Sequence, residues 1–176
     1  MNFVNSTRVP ALSPRQPWYG IRTKSNHERL AAAVLESKGY EQYLPVYRSR
    51  RRWSDRVVEK EQPLFPGYMF CRFDAKKPFP IVSSPGVVSV VGFGNEPAPI
   101  SDTEIEAVQM LLHSGLATEP CPFLHEGQRI RVKRGSLEGL EGILLKKKTD
   151  WRMVVSVTML QRSVAVEIDR EWITTI

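Results

Sequence analysis

The chain has 176 residues, of which 41% are hydrophobic and 25% charged, with a formal net charge of +6. Such a composition suits one large or two small globular domains whose core needs no disulfide. No apolar segment is long enough to span a membrane, and two isolated cysteines, Cys71 in an apolar run and Cys121 beside prolines, offer neither a disulfide framework nor a paired metal site and suit a reducing compartment. A positive excess of this size favours a polyanionic partner only where it is clustered.

In chain order, residues 1–16 (MNFVNSTRVPALSPRQ) have no long apolar run and read as a flexible tail, not a signal peptide. WYGIRTK (18–24) reads as a strand. SNHE (25–28) has the Ser and Glu spacing of a capping box and opens a helix through RLAAAVLESK, which Gly39 stops. Leu30, Val34 and Lys38 stack on that helix with Ala31 and Leu35 beside them, a narrow apolar stripe suited to one face of a sheet. YEQYLPVY and GYMFCRF are the next strands. Between them RSRRRWSDR (48–56) carries a single acid and falls where a hairpin loop is expected. Arg48, Arg50, Arg51, Arg52 and Arg56 around Trp53 either neutralise phosphates and stack on bases or form a solvated loop that binds nothing specific. On both readings the loop is expected to be disordered when free.

GVVSVVGF (86–93) is another strand, and SDTEIEAVQMLLH repeats the capping signature at Ser101 and Glu104 before a second amphipathic helix. The alternation predicts an α+β sandwich over residues 17–113 with helices on one face. SGLATEPCP then reads as a linker within 114–123. From 124 to 176 only strand patterns remain (QRIRVKRG, EGILLKKK, WRMVVSVTML, RSVAVEID and REWITTI), which predicts a small barrel. Gly135, Gly139 and Gly142 lie in IRVKRGSLEGLEGILLK, between two of these strands, where glycine permits tight turns and close strand approach.

Catalytic chemistry has little support. His27 and Glu28 are accounted for by a helix cap, and His113 and His125 end a helix and a linker. Cys121 and His125 have a ligand-like spacing without a second pair, and neither a phosphate-binding glycine loop nor a nucleophile motif occurs. No enzyme activity, metal or cofactor is expected.

The glycine-bearing segment IRVKRGSLEGLEGILLK resembles the KOW domain of the NusG family of transcription elongation factors. The first half resembles that family's amino-terminal (NGN) domain independently: WYGIRTKSNHERLAAAVLE is similar to its opening strand and helix, LFPGYMF to its FPGY motif, and PGVVSVVGFGNEPAPISDTEIEAV to the strand, loop and helix that follow. The match runs in order from Trp18 to the carboxyl terminus. It implies an antiparallel, ferredoxin-like α/β sandwich linked to a small SH3-like barrel. The arginine-rich hairpin and divergent tail are closer to specialised, RfaH-like antiterminators of polysaccharide operons than to housekeeping members. In some specialised relatives the second domain refolds as a helical hairpin; the β-branched, period-two segments RMVVSVTML and SVAVEI predict a persistent barrel here.

The resemblance implies a factor that docks on RNA polymerase by receiving the tip of the clamp helices in an apolar groove, and so raises processivity. The matching groove residues are Phe65, Pro66, Tyr68, Phe70, Val91 and Phe93. Alternation along LFPGYMFCRF puts Tyr68 and Phe70 on one face and Met69, Cys71 and Phe73 on the other, so the first pair is assigned to the groove and the second set to the core. Arg22, Lys24 and Arg29 are expected to face upstream or non-template DNA, with Arg48, Arg50, Arg51, Arg52 and Trp53 as further nucleic-acid contacts. Met159 and Leu160 occupy the barrel loop that offers a surface to a ribosomal protein or termination factor. The implied protein is a cytoplasmic monomer with no membrane partner. A different class, a KOW-type RNA-binding or ribosome-associated protein acting without polymerase, accounts for the barrel but not for the first domain.

Overall fold

The computed structural model describes residues 15–53, 56–124, 127–147 and 150–176. Residues 1–14 of the tail expected at 1–16, the tip of the arginine hairpin and His125 lie outside the described residues; Arg15 pairs with Glu41, and the Gln16 carbonyl accepts from Arg72. The first part runs β1 (Trp18–Thr23), α1 (Glu28–Ser37), β2 (Gln42–Tyr43), β3 (Val46–Trp53), β4 (Arg56–Pro63), β5 (Tyr68–Arg72), α2 (Phe79–Val82), β6 (Val87–Val90), β7 (Gly92–Phe93), β8 (Glu96–Pro97), β9 (Pro99–Ile100) and α3 (Asp102–His113). The second part is β10 (Thr118–Cys121), β11 (Gln128–Val132), β12 (Glu141–Lys147), β13 (Asp150–Val157), a 3-10 turn Thr158–Leu160, β14 (Arg162–Glu167), a 3-10 turn Arg170–Trp172 and β15 (Ile173–Thr175).

The first sheet has the order β2-β5-β1-β6, with β9 also paired to β1, and every pairing is antiparallel. Successive side chains of a strand point to opposite faces, and β1 is apolar on both. Tyr19 and Ile21 join Met69, Cys71 and Phe73 beneath α1 and α2. Trp18 joins Phe70 and Ile100 in a second cluster with Ile105, Val108 and Leu111 of α3. The helices therefore divide between the two faces instead of sharing one, because the adjacent aromatics Trp18 and Tyr19 leave each face with surface to bury.

Helix α1 departs from its predicted start. Its N-cap is His27, with no side-chain capping bond, and Glu28 is buried. The buried stripe is Glu28, Ala31, Ala32 and Leu35, while Leu30 is 47% exposed, so the helix is rotated from the expected Leu30–Val34–Lys38 line. Helix α3 begins as its spacing predicts, with the Ser101 hydroxyl accepting from the Thr103 N–H at 3.2 Å.

The arginine segment is a paired hairpin and not a disordered loop. Strands β3 and β4 pair from Val46↔Pro63 to Trp53↔Arg56, and the register sets Arg48 opposite Glu61 and Arg50 opposite Glu59. Opposite charges at facing positions support strand pairing that the basic run alone opposes.

The second sheet follows the order β10-β14-β13-β12-β11-β15 and, as a partly open barrel whose end strands β10 and β15 do not pair, encloses Ile130, Val132, Met153, Val155, Val164 and Val166. Its first strand, β10, comes from the segment read as a linker, leaving residues 114–117 between α3 and the barrel. Gly142 marks a close strand approach: a Cβ there would lie 2.7 Å from Met153 Cγ and 2.8 Å from the Val154 carbonyl oxygen.

Arg72 ties the first domain together from a nearly buried position. Its guanidinium donates to the Gln16 carbonyl and to Asp102 Oδ1, both at 2.6 Å, bridges Glu41 at 3.3 Å, and sits 4.5 Å from the Trp18 ring centroid. Replacing it with Leu is expected to lower stability by about 1–3 kcal/mol, measured by urea denaturation. Burial pushes the Cys71 thiol up to about 12. In the native protein near neutral pH a thiol reagent should therefore modify Cys121 and spare Cys71 until denaturant is added.

Candidate docking groove

The groove is built from one face of the first sheet. β1 and β5 pair as Gly20↔Phe70 and Arg22↔Tyr68, and β2 brings Tyr43 opposite Phe70. Tyr43 stacks on Phe70 with centroids 6.1 Å apart, and Phe65 meets Phe70 edge-on at 6.0 Å. Tyr43 was not among the expected groove residues. Its signal was the second tyrosine of YEQYLPVY, legible only once β2 is registered on β5. Burial raises the Tyr43 phenol well above its ordinary pKa, so it stays neutral.

The turn before β5 is held from two sides. Gly67 has φ of 81°. Its carbonyl accepts from the Thr23 N–H and its own N–H donates to Glu28 Oε1, each at 2.8 Å. Glu28, expected to cap its own helix, thus satisfies the turn that carries Phe65 and Tyr68.

The barrel covers this groove. A Cβ placed on Gly20 would lie 2.9 Å from Leu160 Cδ2 and 3.0 Å from Val91 Cγ2, so Leu160 occupies the space that Gly20 leaves beside Phe70 and Val91. Leu160, Phe65 and Phe70 are 4%, 1% and 0% exposed. Phe65, Phe70 and Leu160 belong to one cluster that also receives Tyr68, Val91 and Met159. A polar link flanks the contact: Glu104 Oε1 accepts from the Thr158 hydroxyl at 2.8 Å and from its N–H at 3.3 Å. The two sets expected to serve separate partners, the groove and the Met159–Leu160 loop, meet each other.

The remaining expected residues scatter. Pro66 is exposed, and Phe93, on the β7–β8 hairpin, is 76% exposed outside the covered area. Arg22 is exposed on the groove face beside Tyr68. Lys24 follows β1, and Arg29 lies on α1 and bridges Glu61 at 3.5 Å. Arg48 is exposed on β3, which also carries the backbone of Arg50, Arg51, Arg52 and Trp53. Gly135 and Gly139 adopt φ of 91° and 84° in the turn before β12, and Gly135 packs near Trp172. Among the described residues no His, Cys, Asp or Glu cluster of metal-binding size occurs, and no helix is long and apolar enough to cross a membrane.

The family model described as transcription termination factor nusG matches residues 16–109, more than half of the chain. The chain belongs to the NusG family. Similar proteins named transcription termination/antitermination protein NusG come from Borreliella burgdorferi (26% identical, covering 86% of this chain and 94% of the relative), Thermus thermophilus (29%, with the same coverage) and Escherichia coli K12 (27%, covering 89% and 94%). A solved structure described as domain interaction in Thermotoga maritima NusG superposes with a TM-score of 0.54 at 19% identity, covering 92% of this chain and 97% of that one, and it shares the fold. As a NusG-family member the chain is a transcription termination or antitermination factor.

In this NusG-family chain, Gly20→Val fills the space that Leu160 occupies. The variant should release the barrel without unfolding either domain. Small-angle scattering should then give a radius of gyration several ångström above the ~16 Å expected for a compact chain of this length. A variant as compact as the parent contradicts the contact.

Proposed function

We propose that this chain is a transcription elongation and antitermination factor that docks the RNA polymerase clamp helices in the groove of Phe65, Tyr68, Phe70 and Val91. The observation that carries the reading is that the apolar face is kept dry by a separate domain joined through four residues, 114–117. A large apolar surface covered by a removable element suits an exchangeable partner. Docking then holds the clamp closed across the nucleic-acid channel, disfavours pausing and raises processivity, with no chemistry performed by the chain. Arg22, at the groove rim, lies where it contacts either the helical partner or adjacent DNA. Lys24, Arg29 and the hairpin residues Arg48, Arg50, Arg51, Arg52 and Trp53 supply phosphate contacts that are tolerant of sequence. The freed barrel, with Met159 and Leu160 exposed, recruits a ribosomal protein or termination factor. The setting is cytoplasmic and the working form monomeric.

Covering the groove lowers apparent affinity by the fraction of molecules that are open. Two substitutions should therefore move binding to a clamp-helix fragment in opposite directions, read by titration calorimetry. Leu160→Asp should tighten it, by about tenfold for each 1.4 kcal/mol by which closure was favoured. Tyr68→Ala should weaken it by about 1–3 kcal/mol if the ring is a central anchor. Unchanged affinity in both folded variants would place the polymerase contact elsewhere.

A further inference from the structure

The first strand of the barrel is held differently from the rest of its sheet. Strands β11 to β15 each place an apolar side chain in or against the shared cluster, among them Ile130, Leu144, Met153, Val164 and Ile173. β10 places none: Thr118, Glu119, Pro120 and Cys121 are half-buried or exposed, and none belongs to that cluster. It pairs with β14 alone, from Thr118↔Val166 to Cys121↔Ser163. Beside it lies a cleft of about 1060 Å³ whose other wall includes Val46, Tyr47 and Arg48 of β3. A side-chain link to the barrel comes from Glu119, which is half exposed and pairs with Arg152. Just beyond β10 the chain is pinned again: the Leu124 N–H donates to Ser163 Oγ at 3.0 Å, and the Leu124 carbonyl accepts from Ser156 Oγ at 2.5 Å. A short end ladder with little buried apolar surface is the kind of segment that opens locally while its domain stays folded.

The connection between the domains gives that opening a consequence. With β10 in place the tether is residues 114–117, at most about 14 Å when extended, whereas a helix with its side chains is about 10–12 Å across. On so short a tether the barrel pivots beside α3, and it rises by a helix diameter only if the tether is drawn nearly straight. Opening β10 extends the free segment to residues 114–121, at most about 28 Å, while Leu124 keeps its place on the barrel. We propose that β10 is a strap: it peels from β14 while the rest of the barrel stays folded, and so lets Leu160 clear the groove by the thickness of a helical partner. The alternative, a rigid barrel that pivots with β10 attached, leaves unexplained why the connecting segment joins a sheet to which it adds no core side chain. The admission of a helical partner rests on the docking proposed above; the peeling of β10 does not.

Native-state hydrogen exchange of the full-length chain tests the peeling. The amides bonded between β10 and β14 should exchange roughly a hundredfold faster than those between β12 and β13, at rates that low denaturant leaves unchanged, as for a local opening. Glu119→Gln removes the pair with Arg152 and should speed that exchange several-fold without altering β12 and β13. Equal protection of the two ladders in both proteins overturns the strap. A second variant, Ser163→Cys, sets a thiol opposite Cys121, and oxidation then fastens β10 to β14. The oxidised form should bind a clamp-helix fragment roughly tenfold more weakly than the same protein after reduction, because its open state is rarer. Equal affinity in the two redox states also overturns the strap. If the fragment fails to bind even the parent chain, the docking reading falls instead, and the exchange comparison decides the strap by itself.

Discussion

Strand β1 carries the constraint on which the rest of the molecule depends. Its partners fix which residues face which side, and both sides are used: Tyr19 and Ile21 under α1 and α2, Trp18 and Gly20 toward α3 and the barrel. A slip of one residue in the pairing with β5 would exchange these sets and present Met69 and Cys71 to the groove. Gly20 is the position at which this strand gives up its own packing. A glycine inside a strand ordinarily weakens it, and here the missing side chain is replaced by one from a distant part of the chain. The same position that costs the strand some local stability opens the space that Leu160 fills.

Two charged residues position that face from behind. Glu28 and Arg72 are both at least nine-tenths buried, yet each finds polar partners: the Gly67 N–H for Glu28, and Glu41, Asp102 and the Gln16 carbonyl for Arg72. Glu28 fixes the turn before β5 and Arg72 anchors the far end of the same strand. Buried polar groups with such partners restrict a site to one geometry more than they stabilise it, although the Arg72 Nε meets Glu41 only as an ion pair and makes no hydrogen bond. Held at both ends by such groups, β5 keeps Phe70 at a fixed height against Gly20.

Local chemistry made much of this legible in the sequence. The Ser101 cap, the period-two barrel strands and the division of Tyr68 and Phe70 from Met69, Cys71 and Phe73 each follow from spacing alone, and the structure has all three. What spacing does not carry is where a residue finds its partner when several compete. Ser25 and Glu28 have the spacing of a capping box, but the Gly67 N–H, remote in sequence, claims the carboxylate. Likewise Glu104 has the capping spacing, and its carboxylate turns to Thr158 of the barrel. The arginine run read as a loop because its charge opposes strand formation. Only the register with Glu59 and Glu61 shows that the opposing charge lies on the next strand. The docking of one domain on the other left no periodic signal, and its one trace was a glycine in the middle of WYGIRT.

The length of the connection between the domains sets how firmly the groove is covered. With β10 built into the barrel, the tether is residues 114–117, which extend no more than about 14 Å. A short tether keeps Leu160 at an effective concentration on the order of millimolar near Gly20. Burying Leu160 contributes about 1.5–3 kcal/mol on its own, and the Glu104–Thr158 link is exposed and adds little. An intermolecular contact that weak would scarcely form at ordinary protein concentrations, so closure relies on the tether as much as on the apolar contact. On the proposed reading, the consequence is a cover that excludes weak or accidental binders from Phe65 and Phe70, yet yields to a partner whose own affinity is only a few kcal/mol better. On the same reading a released barrel stays within reach of Gly20, because the four-residue tether does not let it leave.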